Sequence, residues 1–343
     1  MARNTISVVR VYGAGILLRN LQAMNSEIAG VREIRDDIEY IHRMRVASRR
    51  LRAGLDVFRN WLPGKQADQW IRGVRSITQA LGAARDADVQ IEHLKGIYKE
   101  LDQGAEKPGV HRLLVRMIQQ RQALHVKVLK TLNRFEKSGI GTAMVVSLEG
   151  DASLRNVINM ESLLLYRLAH RSVSRGLKQF LSYETYIPIP EEKEKLHAMR
   201  IAAKRLRYTL EIFSELFEDG LKSHLQVLRK IQDMLGSIHD DDVWIDWLPG
   251  FMEEERQRTY EYYGVFGPFR KLRPGLEYFL NQCQDDREKT YNKFVNEWNN
   301  WKDQNAWEAL RTAVQVPASL IPAVPDEVED EHDFLPPMAK VEE

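Results

Sequence analysis

Cysteine is almost missing from this 343-residue chain. Cys283 stands alone, so a disulfide framework and a cysteine-built metal cluster are both excluded. No apolar run approaches the roughly 20 residues of a membrane span. The first residues, MARNTISVVRVYGAG, show no apolar stretch followed by a small-residue cleavage site, which predicts a cytoplasmic protein. Nothing alternates convincingly at period two, so strands are not expected. No glycine-rich Walker loop appears, which removes the usual nucleotide-phosphate cradle. Net charge is also small, at +1.

That sum hides an uneven distribution. From residue 314 onward eight acids face Lys340 alone, a net of −7, so residues 1–313 carry +8. A mildly basic body with an acidic tail hints at an anionic partner. The last 30 residues also hold five of the twelve prolines and the acid run Asp326 to Asp333, and they read as disordered. The expected organisation is a body over 1–313 and a tail over 314–343.

The body contains an internal repeat. Residues 41–58 read IHRMRVASRRLRAGLDVF, and residues 196–213 read LHAMRIAAKRLRYTLEIF, at an offset of 155 with no gap. His42 matches His197, Arg45 matches Arg200, Arg49 matches Lys204, Arg50 matches Arg205, and Arg52 matches Arg207. A second pair, ITQALGAARDADV over 77–89 and IQDMLGSIHDDDV over 231–243, follows at an offset of 154. It aligns Leu81-Gly82 with Leu235-Gly236, Asp86 with Asp240, Asp88 with Asp242, and sets Arg75 opposite Arg229. A fainter third pair sets Arg121, Lys127 and Phe135 against Arg287, Lys293 and Trp301 at an offset of 166. The chain therefore reads as two copies of a unit, about 5–140 and about 155–310.

Each copy reads as helices. Met44, Ala47, Leu51, Leu55 and Phe58 form one apolar stripe at helical spacing. Asp36 or Asp37 is placed to cap that helix, and Trp61-Leu62-Pro63-Gly64 closes it. Residues 6–30, 66–100 and 110–137 are similarly periodic. Loops are expected at 104–109, 138–150 and 187–190. The tryptophans Trp70, Trp244, Trp247, Trp298 and Trp301 are expected in packing rather than as base-stacking platforms.

His42, Arg45, Arg49 and Arg52 share one helix face, within about 80° of arc at 3.6 residues per turn. His197, Arg200, Lys204 and Arg207 repeat that face. Like charges at these spacings each cost a few tenths of a kcal/mol. Natural surfaces soften such rows with acids, yet residues 40–55 and 195–210 contain none. An anion supplying the missing charge explains two such rows. Arginine forks grip two phosphate oxygens at once, and histidine becomes a cation when an anion raises its pKa. Arg75, Lys127, Arg229, Lys230 and Lys293 are candidates to line the same space. The competing reading is a solvated surface row, or arginines paired with Asp86, Asp88, Asp240 and Asp242. Those carboxylates read as supports that position guanidinium groups. Two per copy are too few for a hard-metal site, so no metal or other cofactor is expected.

These residues resemble the CHAD family, the conserved histidine α-helical domain. The strongest likeness is Leu196-His197-Ala198-Met199-Arg200-Ile201-Ala202-Ala203-Lys204-Arg205-Leu206-Arg207-Tyr208, with Ile41–Arg52 as its first-half counterpart. Leu81-Gly82 with Arg85-Asp86-Ala87-Asp88-Val89, and Leu235-Gly236 with His239-Asp240, are similar to the helix junctions that follow. The likeness spans about 5–310 and leaves out the tail. It implies an all-α fold of two four-helix bundles related by a pseudo-two-fold axis, with a basic pore between them. It also implies non-catalytic binding of inorganic polyphosphate and, in some members, association with polyphosphate granules and their other proteins. The pore residues it implies are His42, Arg45, Arg49, Arg52, His197, Arg200, Lys204 and Arg207. Arg50 and Arg205 match the motif but are turned about 80° away by helical phase. The triphosphate tunnel domain often fused to the family is missing. Two alternatives remain open. His239-Asp240 superficially suggests a metal-dependent phosphoanhydride hydrolase. The basic rows also suit a nucleic-acid binder, although no aromatics interleave with them to stack bases.

Overall fold

The basic segment forms a helix, and its apolar stripe decides which way it faces. In the computed structural model, which describes residues 7–33 and 37–321, α3 spans Ile38–Val57. Asp37 caps it, its carboxylate accepting the Glu39 N–H at 2.9 Å. Met44, Ala47, Leu51, Leu55 and Phe58 are all buried. The equivalent helix α8 (Lys193–Phe213) buries Met199, Ala202, Leu206, Leu210 and Phe213.

Helices α1 (Val8–Asn25) and α2 (Ile28–Glu33) precede α3, and α4 (Gly64–Glu100), α5 (Lys107–Lys137) and α6 (Ile140–Ser153) follow it. The second half runs α7 (Leu163–Leu181), α8, α9 (Lys222–Tyr263), α10 (Arg273–Asp303) and α11 (Ala306–Ala313). Among the described residues there is no strand. Helices α1, α3, α4, α5 and α6 enclose one core around Trp70, Leu51 and Leu81. Helices α7 to α11 enclose another around Phe180, Trp298 and Leu206.

Four expectations need adjustment. Residues 138–150 are not a loop. Gly139, at φ 66°, turns the chain, and α6 then buries Met144 and Leu148 one turn apart. Its glycines and threonine hide that pair in the sequence. The periodic stretch 6–30 is two helices, broken at Ser26. Trp247 is partly exposed, although its ring stacks on Phe251 at 4.7 Å. At the expected start of the tail, Val314 is still buried, and its carbonyl lies 3.1 Å from His170 Nδ1. The Asp326–Asp333 run falls outside the described residues.

Two further cores join the halves at opposite ends. At one end Tyr12, Phe58 and Phe213 pack with ring centroids 6.2 Å apart, and the Tyr12 hydroxyl donates to the Ile212 carbonyl at 2.6 Å. At the other end the distal parts of α4 and α9 meet the starts of α5 and α10 around Leu94, Leu113, Trp244 and Phe279. There Glu255 of α9 is fully buried and accepts from Arg112 at 3.1 Å, Arg116 at 2.7 Å and Arg258 at 2.7 Å. Burial alone raises its pKa, but those hydrogen bonds and charges outweigh burial and hold it below the ordinary value.

Helices α5 and α10 begin with the related triplets Lys107-Pro108-Gly109 and Arg273-Pro274-Gly275, and they cross at the two glycines. A Cβ on Gly275 would stand 2.9 Å from Gly109 Cα and collide with the Glu106 carbonyl. Backbone sits where a side chain would go, so neither helix can retreat without opening the joint core. Gly275→Ala should therefore destabilise the protein by about 2–3 kcal/mol, read as a lower urea midpoint. An unchanged midpoint would contradict this account of the crossing.

Candidate functional site

Helices α3 and α8 pack face to face, and their basic rows meet at the contact. The rows divide into a neutralised end and a cationic centre. Asp56 closes the first row one turn beyond Arg52, and Glu211 closes the second one turn beyond Arg207. Arg207 Nη1 donates to Glu211 Oε1 at 2.5 Å and its Nε to Gln232 at 3.0 Å. Arg50 Nε crosses from α3 to the other Glu211 oxygen at 2.9 Å. On the opposite side, burial raises the Asp56 pKa against the charges of Arg52, Arg205, Arg59 and Arg75. Burial lowers the Arg52 pKa, with Asp56 opposing and Arg75 and Arg205 reinforcing. Arg50 and Arg205 therefore face carboxylates of the opposite helix, as the 80° phase difference allows. Asp56 and Glu211 lie just outside the acid-free windows, so the sequence reading missed both as part of the site.

At the centre Arg45 and Arg49 of α3 stand beside Arg200 and Lys204 of α8. Burial, then the charge of Arg49, pulls the Arg45 pKa down to about 10. Burial, then Arg200, Arg49 and Arg45, pulls Lys204 down to about 6. Burial also lowers Arg200, against Asp240 and Asp86. Among the described residues, the acids within ion-pair distance of these groups come from the following long helices. Arg45 Nη2 reaches Asp86 at 3.2 Å, and Arg200 Nη2 reaches Asp240 at 3.9 Å. Among the described residues no carboxylate lies within ion-pair distance of Arg49 or Lys204. Asp86 and Asp240 remain 65% and 51% exposed, whereas both arginines are 15% exposed, so the carboxylates stay wet above stems packed on protein.

The repeated Leu-Gly junctions explain that packing. A Cβ on Gly82 would stand 3.8 Å from Arg45 Nε, and one on Gly236 would stand 3.7 Å from Arg200 Nε. Each arginine thus lies over a glycine of the next helix, where an added Cβ would be in van der Waals contact with it. Each Nε is buried without an acceptor, which costs on the order of 1–3 kcal/mol. The terminal nitrogens are left to face the centre.

The histidines lie beyond. The His42 pKa falls because of burial and the charge of Arg85, with Glu39 opposing. At the equivalent place His197 Nδ1 contacts His239 Nδ1 at 3.0 Å, so one ring donates and the other accepts. Burial, then His197, Arg200 and Lys204, pushes His239 down to about 3. Arg85 and His239 occupy matching positions in the repeat and were not among the expected site residues. Asp88 and Asp242 serve elsewhere. Arg121 Nε donates to Asp88 and Arg287 Nε to Asp242, both at 2.5 Å, tying α5 to α4 and α10 to α9. Lys127, Arg229, Lys230 and Lys293 are exposed, and none is a main charge acting on the central groups.

The centre is therefore built at the expense of stability. Lys204→Met should stabilise the ligand-free protein by about 1 kcal/mol. The sign with pH follows from a pKa lowered in the folded state. The unfavourable contribution is absent above the unfolded value of 10.5, grows as pH falls, and is complete below about 6. The stability gap between variant and wild type should widen from pH 10 to pH 6 in urea titrations. A gap constant with pH would refute this role for Lys204.

The CHAD domain family matches residues 15–249, within the expected span of about 5–310. No curated protein matches significantly. Among solved structures, the CHAD domain from the plant Ricinus communis is similar at 21% identity and a TM-score of 0.54, covering 92% of this chain and 94% of that one. At that identity the likeness concerns the fold. The family match covers more than half of the sequence, includes both basic rows and both Leu-Gly junctions, and shows that this chain belongs to the CHAD domain family.

Proposed function

We propose that this protein binds inorganic polyphosphate without acting on it, in a basic channel between two duplicated halves. The observation that carries the reading is the central group Arg45, Arg49, Arg200 and Lys204. Three guanidinium groups and the Lys204 amine, from matching positions, stand together half-buried with two loosely held carboxylates. A polyanion would supply the missing charge, and arginine forks suit phosphate oxygens. Location in the cytoplasm or at polyphosphate granules, and company with other granule proteins, belong to the same proposal.

Self-contacts between counterparts support the duplication. Phe58 touches Phe213, and Gly109 touches Gly275. A residue that meets its own equivalent lies near a two-fold axis. Arg45 on Gly82 and Arg200 on Gly236, and the Asp88–Arg121 and Asp242–Arg287 pairs, repeat the same local geometry. The channel would then run where α3 and α8 face each other. From His42 to Arg52 the row spans roughly 15 Å at 1.5 Å per residue. Several phosphate units fit that length, so orthophosphate would occupy only a fraction of it.

Titration calorimetry tests this reading. Long-chain polyphosphate should bind tightly and orthophosphate weakly. Arg45→Ala/Arg200→Ala should weaken binding at least about 30-fold, ~2 kcal/mol. Affinity should fall with salt at a log–log slope of about −0.7 per neutralised phosphate. A phosphate beside Lys204 would restore its proton, so binding near pH 7 should take up protons and weaken as pH rises from 6 to 9. No binding by the wild type, or a flat salt dependence, would reject the reading.

A further inference from the structure

The two halves differ in one large feature. Asp88 and Gly109 are 21 positions apart, whereas their counterparts Asp242 and Gly275 are 33 apart. The twelve additional residues form an arm at the α9–α10 connection. The final two turns of α9 run past buried Glu255 to Tyr263, and Gly264, at φ 68°, reverses the chain. A short 3-10 turn, Gly267–Lys271, then leads back to α10, with Phe269 buried in the joint core.

The arm has a built shape. Tyr260 stacks on Phe266 at 4.8 Å, and the Arg256 guanidinium covers the Phe266 ring at 4.4 Å. Tyr262 packs edge-on against Tyr263 at 4.7 Å. This framework holds apolar surface outward: Tyr262 is 81% exposed, Tyr263 59% and Val265 57%. Clustered, rigidly presented aromatic surface marks an interaction site, and its preorganisation lowers the entropic cost of binding.

Charge selects the occupant. Glu261 lies exposed beside the tyrosines and touches only Gln257, at 3.2 Å. Arg270 and Lys271 are exposed at the end of the 3-10 turn, and neither forms an ion pair among the described residues. An acidic partner would meet Glu261, and a basic one would meet Arg270 and Lys271. A surface with the same two signs in reversed order complements both, and a two-fold rotation of the arm generates that surface. We infer that this arm is an isologous docking surface for a second copy of the chain, with tyrosines at the centre and Glu261 set against Arg270 and Lys271 of the other copy.

Sedimentation velocity and light scattering on the full chain test it. The wild type should form a concentration-dependent dimer. Tyr262→Ser/Tyr263→Ser should weaken it at least about tenfold. Glu261→Lys should dimerise poorly by itself, as should Arg270→Glu/Lys271→Glu, while an equimolar mixture of the two should recover dimer. Circular dichroism should show every variant fully helical, because the altered side chains are exposed. Polyphosphate binding by the variants should match the wild type, which separates this inference from the binding site. A wild type that stays monomeric, or a dimer unaffected by the tyrosine changes, would overturn the proposal. A mixture that fails to recover dimer would overturn the charge pairing.

Discussion

Arg45, Arg49, Arg200 and Lys204 are held together, half-buried, by two facing helices, and the rest of the fold is arranged to withstand their repulsion. Arg45, Arg49 and Arg200 repel one another at the centre. The attraction is supplied at the ends, by the Tyr12, Phe58 and Phe213 rings and by the core where α5 and α10 cross. Full burial of each such apolar side chain contributes about 1.5–3 kcal/mol. The crossed Arg50–Glu211 pair and the Asp56 group fasten the same two helices one turn from the centre. Stability is thereby concentrated where it does not neutralise the central charges.

The two ends of the basic row are not equivalent, despite their matching histidines. Beside His42 stands the guanidinium group of Arg85. Beside His197 stands His239, which burial and its cationic neighbours keep neutral. An anion lying along the row would meet a guanidinium group at one end and an imidazole pair at the other. Two matching basic rows thus differ in direction through one position, Arg85 against His239.

Much of this was legible in the sequence because it rests on periodicity. The stripe from Met44 to Phe58 faces inward, and the His42 to Arg52 face follows from that phase. The gapless repeat identified α8 as the partner of α3. What could not be read depends on contacts distant in sequence. Leu81-Gly82 stood out as repeated, but only the fold shows that Arg45 lies over that glycine. Asp56 and Glu211 looked like ordinary acids after a basic run until each was seen to face an arginine of the opposite helix. Asp88 read as a carboxylate that positions a guanidinium group, but only the fold shows that the group is that of Arg121. Helix α6 was hidden because Met144 and Leu148 lie among glycines and a threonine.

The bond from the Tyr12 hydroxyl to the Ile212 carbonyl joins residues 200 positions apart. It has a consequence for biosynthesis. A ribosome adds roughly 5–20 residues per second, so about ten to thirty seconds separate the emergence of Phe58 from that of Phe213. Throughout that interval Val9, Tyr12, Ile16 and Phe58 lack Ile212 and Phe213, the part of their core that α8 supplies. The first half leaves the ribosome with a sticky flank that only the second half can cover. Chaperone demand should therefore concentrate in that interval, before the second basic helix has been made.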